Sequence, residues 1–519
     1  MQLLAVPLNR WYYIEMPQTM SNTKRLARPP VVAVVGHIDH GKSTLLDYIR
    51  KTSVAEGEAG GITQHVAAYE AEHVGKTITF IDTPGHEAFI AMRSRSLAAA
   101  DIAILVVSAE DGVKPQTIEA YRLIEETKTP LVVALTKIDK PGADIERARK
   151  SLIEHEMYLE GMGGTVPSVG VSGKSGEGVS ELLDLLLLQA ELSQLSYDPK
   201  APARGIVIEA RASARRGTSA TLIVKEGVLR GTGFVVAGSA FSPMRIMENF
   251  AARLEKEISA GRPAVVVGFS ALPKVGSEFF AVKTKKETEA AIRDARADTT
   301  SAPRSAASEG EAPAVPPLVI ALVVKADVAG SGEAVAHELA GISQPLGIET
   351  RLLASAVGAI TENDVRLAGS GEHPGIVIGF NVKADAGAMA LAERLGVAVA
   401  TFAIIYELSD WLAEELERRR PRQRLEEKAG VARILKIFSA DKKSAVLGGR
   451  VESGRLFPGA EVRIMRRDLT LGEGIIESLQ SQRKSVRSVE AGQEFGAMVR
   501  TDATAAPGDY LEAVEVVYK

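Results

Sequence analysis

Residues Val31 to Thr44, VVAVVGHIDHGKST, constrain this 519-residue chain more than any other stretch. Val31 to Val35 form an apolar, β-branched run of the kind that makes a buried strand. Gly36, four further residues (His37, Ile38, Asp39, His40) and then Gly41-Lys42-Ser43 give G-x-x-x-x-G-K-[ST]. Leu45, Leu46 and Ile49 follow at helical spacing. The pattern requires strand, loop and helix in that order, and it has them. Glycines at the loop's ends let the backbone bend so that successive N–H groups aim at phosphate oxygens. The helix start adds a positive dipole end. Lys42 is then placed to reach the outer phosphates, and the Ser43 hydroxyl to ligate Mg²⁺. The stretch predicts a nucleotide site.

From Val31 to about Leu195, apolar strand-like runs alternate with helical patterns. Thr77–Ile81, Ile102–Val107, Leu131–Leu135 and Val166–Val171 read as strands, and Arg122–Lys128, Asp144–Glu160 and Ser180–Leu195 as helices. Such alternation predicts a mostly parallel sheet covered by helices, with ligands at the carboxyl ends of the strands.

Four more motifs fall there. Asp82-Thr83-Pro84-Gly85-His86 follows the strand TITFI; an acid at that place can hold Mg²⁺ through water, and the Gly85 N–H can sense a γ-phosphate. Thr136-Lys137-Ile138-Asp139 follows LVVAL. Asp139 can accept both donors of a guanine edge while Lys137 packs over the base. Ser172-Gly173-Lys174 supplies backbone donors near the guanine oxygen. Gly60-Gly61-Ile62-Thr63 lies between loop and second motif, and its threonine can complete a Mg²⁺ shell. Any one tetrapeptide also reads as a polar turn; four in order at the right strand ends point to GTP. His86 sits beside the γ-phosphate sensor, where a histidine can orient or polarise the attacking water. Ile38 and Ile62 either shield that water path or simply pack.

The remaining chain is modular. Residues 1–28 read as a disordered tail, with Met16 and Met20 as alternative starts, and 29–197 as the nucleotide domain. Residues 198–286 carry short glycine-punctuated strands, a β-barrel pattern. The arginines in its turns, Arg215, Arg216 and Arg230, suit either RNA phosphates or solvent. Residues 287–317 are rich in Ala, Ser, Pro, Glu and Arg and predict a flexible linker, helix-prone at its start. Residues 318–402 read as an α/β/α unit, 403–424 as a charged amphipathic helix ended by Pro421, and 425–519 as a second β-barrel. The last module has a local basic bias from Arg463, Arg466, Arg467, Arg483, Lys484 and Arg487. Such a face suits either solvent or RNA. The chain as a whole has net charge −4, so nucleic-acid contact must be local. It has no cysteine, which excludes thiol catalysis and disulfides. No apolar run approaches the ~20 residues of a membrane span. These features predict a cytoplasmic monomer without membrane contact.

With those modules in order, the chain from about residue 29 resembles bacterial translation initiation factor two, a translational GTPase family. GHIDHGKSTLLDYIR, AGGITQHVAAY and FIDTPGHEAF resemble its phosphate loop and two switches; VVKADVAGSGEAV, SAVGAITENDV and IVIGFNVKADAGA resemble its third domain; AIIYELSD resembles the start of its connecting helix. The match begins without the long N-terminal region of many bacterial members. The resemblance implies GTP or GDP with Mg²⁺ as cofactors, ribosome-stimulated GTP hydrolysis, both ribosomal subunits and formylmethionyl initiator tRNA as partners, and a role in subunit joining. It assigns Asp39, His40, Gly41, Lys42, Ser43 and Thr44 to phosphates, Ser43, Thr63 and Asp82 to Mg²⁺, His86 to catalysis, and Thr136, Lys137, Asp139, Ser172, Gly173 and Lys174 to guanine. Three departures stand out. Thr136 replaces the usual asparagine. Gly173 replaces a frequent alanine, which leaves the backbone donor intact. In the terminal barrel, Gly449 and Phe495 stand where the family's formylmethionine pocket has cysteines and the basic-aromatic stretch after ESL becomes Gln480-Ser481-Gln482-Arg483, while Glu494 and Gly496 persist. The resemblance assigns Gly449, Arg483, Glu494, Phe495 and Gly496 to initiator tRNA.

Overall fold

A computed structural model of the chain describes residues 25–51, 62–213, 215–300, 319–346, 348–371, 373–420, 424–441, 443–467, 469–482 and 484–518. Most of the expected tail, Gly60, Gly61, Arg483 and the later part of the expected linker lie outside these residues. The chain divides into two compact units, 1–419 and 420–519.

In the first unit, β1 (Leu26–Ala27), β2 (Val31–Gly36), α1 (Lys42–Arg50), β3 (Ala67–His73), β4 (Lys76–Asp82), α2 (Ile90–Ala99), β5 (Ile102–Ser108), α3 (Pro115–Thr127), β6 (Leu131–Thr136), α4 (Ile145–Glu154), β7 (Ser168–Gly170), α5 (Val179–Leu192) and β8 (Ser196–Tyr197) build the nucleotide domain. Its sheet runs β3-β4-β2-β5-β6-β7, parallel except for the edge strand β3. β2 and β5 are fully buried, as unbroken Val/Ile/Ala/Leu runs demand when helices cover both faces.

The tail ends sooner than expected. Leu26 and Ala27 pair with Tyr197 and Ser196, and Arg28 makes a two-pronged ion pair with Asp101, at 2.5 and 2.9 Å. Asp101 also accepts from the Val31 N–H at 2.9 Å and from Lys225 of the second domain at 2.5 Å. Burial alone would raise its carboxyl; Lys225 and Arg28 instead hold it well below the usual range.

Residues 204–282 form a rolled antiparallel sheet around their own core. Two of its turn arginines are engaged within the chain: Arg216 chelates Glu248 at 2.6 and 2.7 Å, and Arg230 pairs with Glu257. The start of the expected linker is helix, α6 (Lys285–Thr300), as its Lys/Glu/Ala sequence favours. The next domain is a four-stranded parallel sheet, 349–357 beside 319–326, then 376–380 and 398–402, with α7 (Ala329–Leu346), α8 (Glu362–Ala368) and α9 (Ala386–Leu395). The connecting helix, α10, spans Ile405–Arg419. One hydrophobic core joins Phe89 and Met92 of the nucleotide domain, Ile206 and Ile208 of the second, and Leu408, Leu412 and Leu416 of α10. These domains therefore pack as one body.

The second unit is a closed six-stranded barrel. Strands 424–440, 510–518, 461–466, 469–481, 494–501 and 444–456 pair in that order, and the last pairs back to the first. Part of its basic face is paired internally, since Arg466 binds both oxygens of Asp509 at 2.8 and 2.9 Å.

Candidate functional site

The ends of β2, β4, β6 and the loop after β7 converge on one cleft of about 420 Å³. Ile38, Asp39, Gly41, Lys42, Ser43 and Thr44 line it, with Ile62, Thr63, Gly85, His86, Thr136, Lys137, Asp139, Gly173, Lys174 and also Lys140. The phosphate loop reaches this shape through left-handed backbone at Asp39 (φ 60°) and Gly41 (φ 85°).

Lys42 is buried beneath the loop, and its Nζ donates to the carbonyls of Gly36 (2.9 Å) and His37 (2.6 Å). Burial lowers its pKa to about 8, against the opposing pull of the Asp82 carboxylate. A Cβ on Gly85 would stand 2.6 Å from that Nζ and 3.1 Å from the Ile38 N. Glycine here lets the second-switch backbone approach the lysine head and the Ile38 backbone without displacing either. Across the cleft the hydroxyls of Ser43 and Thr63 share a hydrogen bond of 2.7 Å.

Several predicted residues support the cleft from behind without lining it. His40, assigned above to phosphate, is buried under the loop, its ring 4.8 Å from that of His37, and its Nδ1 accepts from the Ser108 N–H at 3.3 Å. Burial pushes its pKa down to about 3, so it stands neutral. The Thr83 hydroxyl donates to the Val34 carbonyl (2.6 Å), and Ile138 packs towards Gly170. Gly36 abuts β5, where a Cβ would meet the Val106 carbonyl at 2.4 Å. Pro84 gives its carbonyl to Arg93. Thr136, at the departure from asparagine, does line the cleft, and its hydroxyl donates to the His40 carbonyl at 2.5 Å, which ties the guanine motif to the phosphate loop.

Asp139 is exposed at the mouth. The Ser172 hydroxyl bonds to it and keeps its carboxyl below the ordinary range, as an ionised acceptor. Ser172 Oγ in turn accepts from the N–H groups of Lys174 (3.2 Å) and Ser175 (3.0 Å). The exchange of alanine for Gly173 is not neutral here: a Cβ would lie 2.8 Å from the Leu45 N, because this loop rests on the first turn of α1.

His86 caps the short turn Glu87–Phe89, its Nδ1 accepting from the Ala88 N–H at 3.0 Å. That leaves Nε2 for a further partner. Burial lowers its pKa. Two supporting residues escaped the sequence reading. Arg93 is almost wholly buried; it donates to the Pro84 and His86 carbonyls at 3.0 and 2.6 Å and pairs with Glu119. Gln64 donates to the Ala403 carbonyl (2.8 Å) and accepts from the Ile405 N–H (3.1 Å), so the residue after Thr63 grips the start of α10. The sequence IAMRSRSLAA sets Arg93 and Arg95 on either side of Ser94 among small and apolar residues and does not say which of the two is buried; Gln64 carried no signal.

In the terminal barrel, Gly449 pairs with Phe495, Arg450 with Glu494 and Gly448 with Gly496. Phe495 is buried, and a Cβ on Gly449 would lie 2.8 Å from its ring and 2.1 Å from the Arg433 carbonyl. The ring occupies the space above the glycine. Glu494 is exposed, and the space over Gly496 is open.

Fold and site define a GTP-binding domain of the translational GTPase class. The family model described as elongation factor Tu GTP binding domain matches residues 28–191, that of elongation factor G domain 2 matches 202–282, and that of translation-initiation factor 2 matches 299–413. Within the class the chain groups with the proteins named translation initiation factor IF-2. It is 38% identical over 502 residues to the one from Bartonella quintana (strain Toulouse), covering 95% of this chain and 59% of that protein. For Allorhizobium ampelinum the figures are 39% over 500 residues, 95% and 54%. The chain thus spans between half and three fifths of these relatives' length. A crystal structure of GDP-bound aIF5B from Aeropyrum pernix is 27% identical, covers 94% of this chain and 92% of its own, and has a TM-score of 0.47.

Proposed function

We propose that this chain is a GTP-hydrolysing initiation switch that binds GTP with Mg²⁺, acts on both ribosomal subunits as they join, and receives initiator tRNA at its terminal barrel. The observation that carries the reading is the convergence of phosphate loop, both switch segments and both guanine motifs on one cleft. The donor set suits a hard cation: two cis ligands of octahedral Mg²⁺ lie about 3 Å apart, and the Ser43 and Thr63 hydroxyls stand at 2.7 Å. Ser43, Thr63 and, through water, Asp82 would hold the ion, which supplies charge neutralisation between the outer phosphates. Lys42 offers a second cation there once its two carbonyls yield to phosphate. Asp139 accepts the guanine donors. His86, neutral and with Nε2 available, orients the attacking water.

The terminal barrel favours a variant of this reading, in which initiator tRNA is bound without selection for the formyl group. Phe495 fills the space above Gly449, so a pocket formed from those two positions has no room left.

The test is hydrolysis by the full chain. GTP turnover is expected to rise at least tenfold with ribosomes, ATP to be left intact, and His86→Ala to keep GTP affinity while losing about 10²–10⁴-fold of the stimulated rate. Equal affinity for ATP would overturn the guanine assignment, and undiminished stimulated turnover in His86→Ala would overturn the histidine's role.

A further inference from the structure

The first turn of α10 reaches the nucleotide cleft from a different domain. The Tyr406 ring meets the His86 imidazole edge to face, with centroids 4.6 Å apart and planes at 72°. Burial raises the Tyr406 hydroxyl pKa, and the carboxylates of Asp39 in the phosphate loop and Glu338 add to the shift. Its neighbour Ile405 is fully buried and donates to Gln64, while Ser409 one turn on donates to Glu338 of α7 at 2.9 Å. The tyrosine therefore stands on a fixed platform. Four contacts hold His86: Ala88 engages Nδ1, Arg93 engages its carbonyl, and the Phe89 and Tyr406 rings pack edge to face against the imidazole.

We propose that Tyr406 is a positioning residue for hydrolysis: its ring sets the orientation of the His86 imidazole over the cleft, so that Nε2 meets the attacking water. The inference rests on the reading of His86 given above. The cap at Nδ1 restrains rotation about the Cβ–Cγ bond through one hydrogen bond, and the remaining tilt of the imidazole is limited by the rings packed against it, Phe89 at 6.2 Å and Tyr406 at 4.6 Å between centroids. Edge-to-face contact with the anchored Tyr406 supplies the nearer of these restraints and shields that side of the imidazole, the outer part of the tyrosine facing solvent. The groups whose charge acts on the imidazole are Glu338 and His337 from α7, Arg93 from α2, and Glu87 beside it. Tyr406 adds none while neutral, so its contribution is shape and desolvation. Loss of the ring should both loosen the imidazole and let water reach it.

The test uses the full chain, single-turnover GTP hydrolysis with ribosomes, and three variants. Tyr406→Phe keeps the ring and is expected to stay within about twofold of the parent, whereas Tyr406→Ala is expected to lose about tenfold in rate with unchanged GTP affinity, since small misplacement of a reacting group costs that much. The unchanged affinity reports that the Ala variant is folded. A second readout separates positioning from general damage. Burial depresses the His86 pKa, and hydrolysis needs the neutral imidazole, so the rate falls as pH drops through that pKa. Re-solvation in Tyr406→Ala moves the pKa up towards about 6.5, and the acid limb of the rate profile with it; Tyr406→Phe leaves the limb in place. A Tyr406→Ala rate and acid limb equal to the parent's would overturn the proposal, as would a Tyr406→Phe defect as large as that of Tyr406→Ala. His86→Ala, run alongside, keeps the two ideas apart: if it retains stimulated turnover, the reading of His86 itself fails, and if it loses turnover while Tyr406→Ala does not, only the present inference fails.

Discussion

At the scale of single residues, the cleft is shaped as much by missing atoms as by present ones. Gly85 and Gly173 each allow a backbone approach that one methyl group would block, towards Lys42 in the first case and towards α1 in the second. The terminal barrel shows the reverse. Gly449 has no side chain, and the buried Phe495 ring takes the volume above it, so the pair is packed core. This chain is accordingly expected to bind formylated and unformylated initiator tRNA within about threefold of each other, because a group that no pocket encloses contributes little discrimination. A preference above tenfold for the formylated form, read by filter binding with the full chain, would contradict that. Of the residues foreseen at the nucleotide site, those lining the cleft were legible because their motifs encode chemistry. The inward role of His40 was not, since a histidine inside a phosphate loop reads equally as ligand or support until its burial is known.

At the scale of elements, the strands and helices that follow a clean period were readable, and those shaped by tertiary neighbours were not. β2, β5 and β6 are continuous apolar runs and fall close to where the pattern puts them. α2 has no amphipathic stripe. It lies between its own sheet and α7, with Arg93 buried and Met92 against Gly330, so neither face needs to be polar. β3, AAYEAEH, alternates only weakly as an edge strand. The helix start at Ile405 illustrates the same dependence. The first N–H groups of a helix lack partners within it, and here Gln64 supplies one from another domain. Gln64→Ala is expected to leave the buried Ile405 N–H unpaired at a cost of about 1–3 kcal/mol. Amide exchange at Ile405 should speed up about tenfold or more with α9 unchanged, and unaltered exchange would show that the contact carries no load.

At the scale of the whole molecule, modular order was legible, but not the fusion of the modules in residues 1–419. That fusion rests on a shared apolar core and on charges such as Asp101, which gathers Arg28, the Val31 N–H and Lys225 at one buried point. Asp101→Asn removes the charge and leaves two cations facing a neutral group, and is expected to lower the first thermal transition by an amount worth about 3 kcal/mol. The pH sign follows from the depressed carboxyl. The stabilisation is fully present above the ordinary carboxylate pKa of about 4 and is lost as pH falls towards the folded value. The gap between parent and variant midpoints should therefore be constant from pH 7 to about 5 and shrink below 4. A gap independent of pH across that range would locate the effect elsewhere.

The pairing of Leu26–Ala27 with Ser196–Tyr197 brings the entry and exit of the nucleotide domain side by side. A module whose two ends leave from one point behaves as a cassette. Here the cassette is also bolted in place by the shared apolar core and the Asp101–Lys225 pair, so this seam is the covalent part of an attachment that the packing completes.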